Sequence, residues 1–408
     1  MDFKKAFDTL SHDFLWLVLQ LQKVPPQYIC VLQALYASHV GHIQVRGLLS
    51  KEFWLLRGVR QGDPLSPSLF NAALEHVLQS CKRIWKQHRY GLDVGDKFGE
   101  LLTNLRLADD VLLVAKSLPE LRHMLETIIR EAMPSGLELH PEKTKILSNV
   151  KKRTAGNAIT SVRVCDLDVQ VLPLDGSVRY LGRKLTFGPF HDVEVENRIA
   201  AGWKRFFSHK KTLCNRSIPV RTRMKLFDGT VSPTVLFGSS CWTMTAEREH
   251  KLRKAQRQML RTMLQVGRRR QANQGGTSDT DSASNLTASS NDEEVLEPWV
   301  DWLARATRYA EAELKKANVA DWTSQQKQRA FRWAGHVARR EDSRWSSTVL
   351  QWKPELSLAS YRRKGRPLKR WEDALQQWHY DWRAIAVDRE LWKENEACFL
   401  SGCSPLPL

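Results

Sequence analysis

The spacing of apolar positions changes several times along the chain, and each change marks an element. Phe3, Phe7 and Leu10, then Phe14, Leu17 and Val18, mark a strand end passing into an amphipathic helix that stops near Gln22. Val24-Pro-Pro-Gln27 opens a second helix, with Tyr28, Val31, Leu32, Leu35 and Tyr36 on one face. Residues 42–57 alternate, as in His42-Ile-Gln-Val-Arg46, and predict a hairpin. Arg57 to Ser68 is rich in Gly and Pro and therefore a loop, and Leu69, Ala73, Leu74, Val77 and Leu78 continue it as a helix. From Leu105 to Ala115 two apolar runs flank Asp109 and Asp110. Leu105 and Leu107 alternate with Arg106 like a half-buried strand, and Val111 to Ala115 reads as a buried one. The acid pair is thus predicted at a hairpin tip. Ser117 begins a helix with Leu121, Leu125 and Ile128 on one face, and residues 136–147 return as a strand. Residues 160–187 alternate again. Residues 192–266 are helical in pattern, 268–298 are polar and low in complexity, and 299–396 are helical and dense in Trp and Arg. No internal repeat is found.

Composition adds a polyanionic partner to this picture. The net charge is +18 and the pI about 9.7. Residues 1–150 hold 18 Lys/Arg against 16 Asp/Glu, whereas residues 198–270 hold 18 against 3, so the basic surface lies downstream of the acid pair. The seven cysteines show no CxxC or zinc spacing, which favours reduced thiols and an intracellular protein. No run is long enough to span a membrane, and the start has no signal-peptide pattern.

Adjacent carboxylates in an apolar setting repel each other and call for a proton, a cation or a metal. Hard divalent ions such as Mg²⁺ take oxygen ligands of this kind. A solvated turn is the ordinary alternative, because Asp is common in turns. Asp2, at a strand end, could share such metals with Asp109, since two bridged ions are the usual apparatus of phosphoryl transfer; alone it is an ordinary terminal acid. Gln61-Gly62-Asp63-Pro64 opens a helix where backbone can approach an anion closely, or is a simple helix-entry turn. Lys143 could protonate a pyrophosphate leaving group, or be a solvated lysine. Tyr180-Leu181-Gly182 is a tight turn after a strand.

Taken in order, these segments resemble the reverse transcriptase domain of LINE-type (non-LTR) retrotransposons over residues 1 to about 265. Asp2-Phe-Lys-Lys-Ala-Phe-Asp8 is similar to that family's first catalytic motif, and Arg57 to Pro67 to its template- and nucleotide-contacting motif. Leu107-Ala-Asp-Asp110 is similar to its F/Y-x-D-D box, with Leu107 in place of the aromatic residue. Residues 136–144 resemble its lysine motif and Arg179-Tyr-Leu-Gly182 its primer-grip turn. Residues 339–381 resemble the tail of such elements, less specifically.

The resemblance implies an α+β fold: a right-hand polymerase palm, an antiparallel sheet with helices, over residues 1–187. A basic helical thumb (188–267), a disordered linker (268–298) and a small helical C-terminal domain (299–408) follow. It implies an RNA-directed DNA polymerase that uses two Mg²⁺ ions, or Mn²⁺, with an RNA template, a DNA primer and deoxynucleoside triphosphates, and a nuclear setting. Asp2 and Asp109 would be metal ligands with Asp110 close by. The Phe3 carbonyl would complete the site, and Phe7 would exclude a 2′-hydroxyl. Gln61 and Gly62 would contact template or nucleotide, Lys143 would be a general acid, and Tyr180, Leu181 and Gly182 would hold the primer end. Lys204 and Arg205 stand for the basic helices that track phosphates, with steep salt dependence.

The family's fingers segment and endonuclease do not appear in this sequence. An acid one residue from its start is not expected to be held as rigidly as two metals need, so reduced or absent activity is expected. The alternative is a non-catalytic nucleic-acid-binding remnant, and a third reading makes the acid pair structural. Arg366, in Gly365-Arg-Pro367, resembles minor-groove hooks, or is part of a solvated basic loop. The Trp residues at 333, 345, 352, 371, 378, 382 and 392 could stack on bases but are more ordinarily core.

Overall fold

The computed structural model describes residues 1–95, 99–149, 159–270, 296–342, 344–352 and 369–405. They fall into two compact units, one drawn from residues 1–190 with 342–352 and the other from residues 191–341 with 369–405. Both helices and short strands are present in the first, and the described part of the second is helical.

In the first unit the helix Ser66–Gln87 is the central post. Its Leu69, Phe70, Ala73, Leu74, Val77, Leu78, Cys81 and Trp85 are buried. The spacing is that of one helical face, and it packs against Leu15 and Leu19 of the helix His12–Leu21 and against Met124 and Ile128 of Leu118–Ala132. Ser117 caps that last helix by accepting the Glu120 N–H at 3.3 Å. The strands Asn104–Leu107 and Asp110–Leu113 form an antiparallel hairpin. A three-stranded sheet is ordered Lys145–Ile146, Leu167–Val171, Ser161–Val164, its first pair parallel and its second antiparallel. A further hairpin joins Val178–Tyr180 to Arg183–Leu185.

Three expectations are corrected. Residues 136–147 are not one strand: Leu139 bridges Phe3, then Pro141 to Lys143 turn, and only Lys145–Ile146 is a strand. Pro141 lacks the N–H that a continuing ladder would need. On the helix Pro26–Ala37, Ile29 and Tyr36 are buried while Tyr28, Val31 and Leu35 face outward. In the strand Asn104–Leu107 the apolar alternation points the other way. Leu105 and Leu107 are exposed, and Arg106 turns inward to pair with Glu75 of the central helix.

In the second unit, helices Phe190–Ser208, Val220–Val235 and Ala246–Leu264 share a core with Trp299–Lys316 and Trp322–Ala338. Trp322 stacks on Phe227, ring centroids 5.8 Å apart, and donates its indole N–H to Ser232 Oγ at 2.8 Å. The segments read as thumb and as C-terminal domain are therefore packed together. Most of the stretch read as a linker, residues 271–295, lies outside the described residues. None of the seven downstream Trp residues is exposed, and Trp382 and Trp392 are buried. No helix among the described residues is long and apolar enough to cross a membrane.

Candidate active site

Asp2 sits in a short extended segment bracketed on both sides. On one side the Met1 nitrogen donates to the Val111 carbonyl at 2.9 Å, next to Asp110. On the other, Lys4 N–H donates to the Glu138 carbonyl at 2.8 Å and His140 N–H to the Asp2 carbonyl at 2.9 Å. Asp2 N–H itself reaches Thr144 Oγ1 at 3.3 Å. Phe3, 2% exposed, anchors the segment in the core. The expectation that Asp2 is poorly held is thus corrected, because backbone pairing to residues more than 100 positions away fixes it.

The acid hairpin is closed by the register Leu107↔Asp110, which leaves Ala108 and Asp109 as a two-residue turn. Ala108 takes φ 51°, a conformation that ordinarily selects glycine. Strain of this kind persists only where surrounding structure enforces it. The neighbouring segment and the hairpin place Asp2, Asp109 and Asp110 in one electrostatic neighbourhood. The Asp110 carboxyl is pushed up, first by burial and then by the charges of Asp109 and Asp2, with the Met1 ammonium opposing them.

Lys143 stands beside the first acid, its Nζ 3.6 Å from Asp2 Oδ2. Its side chain is 64% exposed, so the pair is worth under about 1 kcal/mol and yields readily to a competing anion. Gln61 donates to Asp8 Oδ1 at 2.9 Å, and Gly62 is exposed at φ 92°. The loop is docked through Gly58 N–H to the Leu10 carbonyl and Val59 N–H to the Phe7 carbonyl. Phe7 stacks on the buried Phe70 at 4.6 Å, which fixes its ring. Tyr180, Leu181 and Gly182 form the predicted turn, the last two at φ 48° and 74°. Tyr180 donates to the Leu105 carbonyl at 3.3 Å, and its hydroxyl pKa is raised by burial and then by Asp110. The turn is therefore tied to the acid hairpin. Lys204 and Arg205 are exposed on the helix Phe190–Ser208, and Arg366 lies outside the described residues.

Sequence reasoning missed Arg106 and its partner Glu75, which hold the strand leading to the acids against the central helix. It also overstated the free positive charge downstream. Arg248 grips Asp192 with two bonds of 2.7 and 2.8 Å. Arg198 pairs with the buried Glu194. Arg223, only 4% exposed, donates to the carbonyls of Ile218, Leu213 and Met263.

The donor set suits a hard divalent ion: three carboxylates and no soft ligand, with like charge already crowding Asp110. Among the described residues, no three His, Cys, Asp or Glu side chains already converge as ligands.

Residues 1–185 match the family model described as reverse transcriptase (RNA-dependent DNA polymerase). Residues 1–185 are thus a reverse transcriptase domain, and the match extends over less than half of the chain. The chain is 27% identical over 308 residues to a transposon-derived protein of Caenorhabditis elegans, covering 72% of this chain and 95% of that protein. It is 29% identical over 190 residues to a retrovirus-related Pol polyprotein from a type-2 retrotransposable element of Drosophila melanogaster, covering 46% of this chain and 17% of that protein. Against a Pol polyprotein from the retrotransposable element R2 of Nasonia vitripennis it is 28% identical over 212 residues, 50% of this chain and 19% of the other. The chain thus spans under a fifth of these two polyproteins. Reverse transcriptases generally use divalent metal ions.

Proposed function

We propose that this chain is an RNA-directed DNA polymerase of a non-LTR retrotransposon, with residues 1–187 as palm and 188–267 as thumb. The observation that supports the reading is the pairing of the Asp2 segment with the strand that starts at Asp110, which brings Asp2 and Asp109 within electrostatic reach of Asp110. Asp2, Asp109 and Asp110 would hold the divalent ions, magnesium or manganese. When bound, these supply an acidified primer hydroxyl and a stabilised leaving oxygen.

The remaining roles belong to this chain's own residues. Lys143 holds its proton at Nζ beside Asp2, exposed enough to turn toward a pyrophosphate. Phe7, held by stacking on Phe70, would form a floor under the nucleotide sugar and exclude a 2′-hydroxyl. Gln61, anchored on Asp8, and Gly62 present an open backbone edge to template and triphosphate. The Tyr180–Gly182 turn, tied to Leu105 of the acid hairpin, would hold the primer end. Lys204 and Arg205 follow the phosphates of the hybrid, and the helices after residue 299 brace the thumb from within its core.

A second reading is a nucleic-acid-binding protein without catalysis, resting on the exposed cations of the downstream helices such as Lys204 and Arg205. Primer extension on an RNA template with Mg²⁺ separates the two. Extension by the wild type, abolished in Asp109→Ala and Asp110→Ala with hybrid binding intact, supports the polymerase. Salt-sensitive hybrid binding in all three proteins with no extension in any supports the second reading and refutes the first.

A further inference from the structure

A cavity of about 640 Å³ opens in the first unit, between the start of the helix His12–Leu21, the end of Pro26–Ala37 and the chain at Trp54 to Arg57. Neither Asp2, Asp109, Asp110, Lys143 nor Tyr180 lines it, so it is separate from the acid site. Its walls are aromatic: Trp16, Tyr36 and Trp54. Trp54 is 63% exposed, which core packing does not require. Tyr36 is only 6% exposed, with the edges of His12, Trp16 and His39 around its ring at 5.1, 5.8 and 5.9 Å. Its buried hydroxyl has no hydrogen-bond partner among the described residues, where buried hydroxyls ordinarily find one.

The polar lining is equally specific. His12 Nε2 lies 2.8 Å from the Gly58 carbonyl oxygen. A carbonyl only accepts, so Nε2 carries the proton, and in the neutral ring Nδ1 is left as an acceptor. Asp13, exposed at the rim, adds a carboxylate. Arg57, also exposed there, brings a planar guanidinium of the kind that grips phosphate with two parallel bonds.

We propose that this cavity binds a nucleotide, with its base against Trp54 and Trp16 and its phosphate on Arg57. The His12 and Asp13 acceptors suit a base carrying an exocyclic amino group. The same chemistry is offered by a free nucleotide and by an unpaired nucleotide within an RNA strand. The site does not depend on polymerisation: a chain that fails to extend a primer still binds here.

Calorimetric titration of the intact chain with AMP, and separately with an unpaired ten-residue adenosine RNA, tests this. The variants are Trp54→Ala and Arg57→Gln, which alter exposed side chains, and Asp109→Ala as a control at the acid site. Melting curves verify that each variant folds. AMP binding weakened about tenfold by Trp54→Ala and severalfold by Arg57→Gln, and unchanged by Asp109→Ala, supports a free-nucleotide site. The same pattern for the RNA, with AMP unbound, supports a strand nucleotide as the occupant. Binding of neither probe, or binding indifferent to both cavity variants, overturns the proposal.

Discussion

Gly58 shows how closely the loop before Gln61 is fitted to the segment after the first acid. A Cβ placed on Gly58 meets the Asp8 carbonyl oxygen at 2.6 Å and the Asp8 carbonyl carbon and Cα at 2.8 Å. These are backbone atoms and cannot swing aside. The residue also sits at φ 87°. Gly58→Ala therefore carries the left-handed penalty of about 1–2 kcal/mol plus an overpacking cost of about 1–3 kcal/mol. Gly62, four residues on at φ 92°, has nothing within 4 Å of the point where a Cβ would stand. Gly62→Ala carries only the first cost, about 1–2 kcal/mol. Scanning calorimetry, which resolves the transitions of separate units, measures both. Gly58→Ala should melt lower than Gly62→Ala, and should also loosen the contact of Gln61 with Asp8. A Gly58→Ala protein no less stable than Gly62→Ala would refute the close docking.

The other predictions test electrostatics and packing. A folded carboxyl pKa raised above its unfolded value contributes stability below that unfolded value, about 3.9, and loses it as pH rises through the folded one. Asp110→Asn should therefore melt higher than wild type at neutral pH, with the gap closing toward about pH 4; a gap independent of pH contradicts the crowding of Asp110 by burial, Asp109 and Asp2. Asp192 is the opposite case: hydrogen bonding from Arg248 lowers its pKa, so its contribution is present above the unfolded value and lost as pH falls through the folded one. Arg248→Ala should lose about 1–3 kcal/mol at neutral pH and much less in acid, as read from denaturant curves. Cys81 is buried, and its thiol is pushed up to about 12, chiefly by burial. An aromatic disulfide reagent at mild pH should label the exposed Cys30, Cys165, Cys241 and Cys403 and reach Cys81 only after unfolding; early labelling of Cys81 contradicts its placement. Trp322→Ala removes a ring stacked in the shared helical core and should cost about 3–5 kcal/mol in the second unit; a shift under about 1 kcal/mol would mean that the two helical segments pack independently.

Local patterns carried the acid hairpin, the Ser117 cap and the Tyr180 turn, because each is specified by residues a few positions apart. What they left out is long-range. Alternation along Leu105, Arg106 and Leu107 separates two faces but does not say which is inside. The choice was made by Glu75, on a helix some thirty residues earlier, which gives Arg106 a partner. Similarly, helical spacing groups Tyr28, Val31 and Leu35, yet supplies nothing to cover them. The rigidity of Asp2 rests on backbone bonds to Val111, Glu138 and His140, and no local motif records those. Counting cations from 198 to 270 could not reveal that Arg198, Arg223 and Arg248 are engaged within the fold.

Binding of Mn²⁺, followed by electron paramagnetic resonance with a non-extendable primer, RNA template and matching nucleotide present, tests most directly whether the three carboxylates form one divalent-cation site. Wild type should bind the ion, and Asp2→Asn and Asp109→Asn should each weaken it by at least about tenfold, as loss of a charged ligand predicts. Equal affinity in all three proteins would contradict the assignment of these acids as the metal-binding centre.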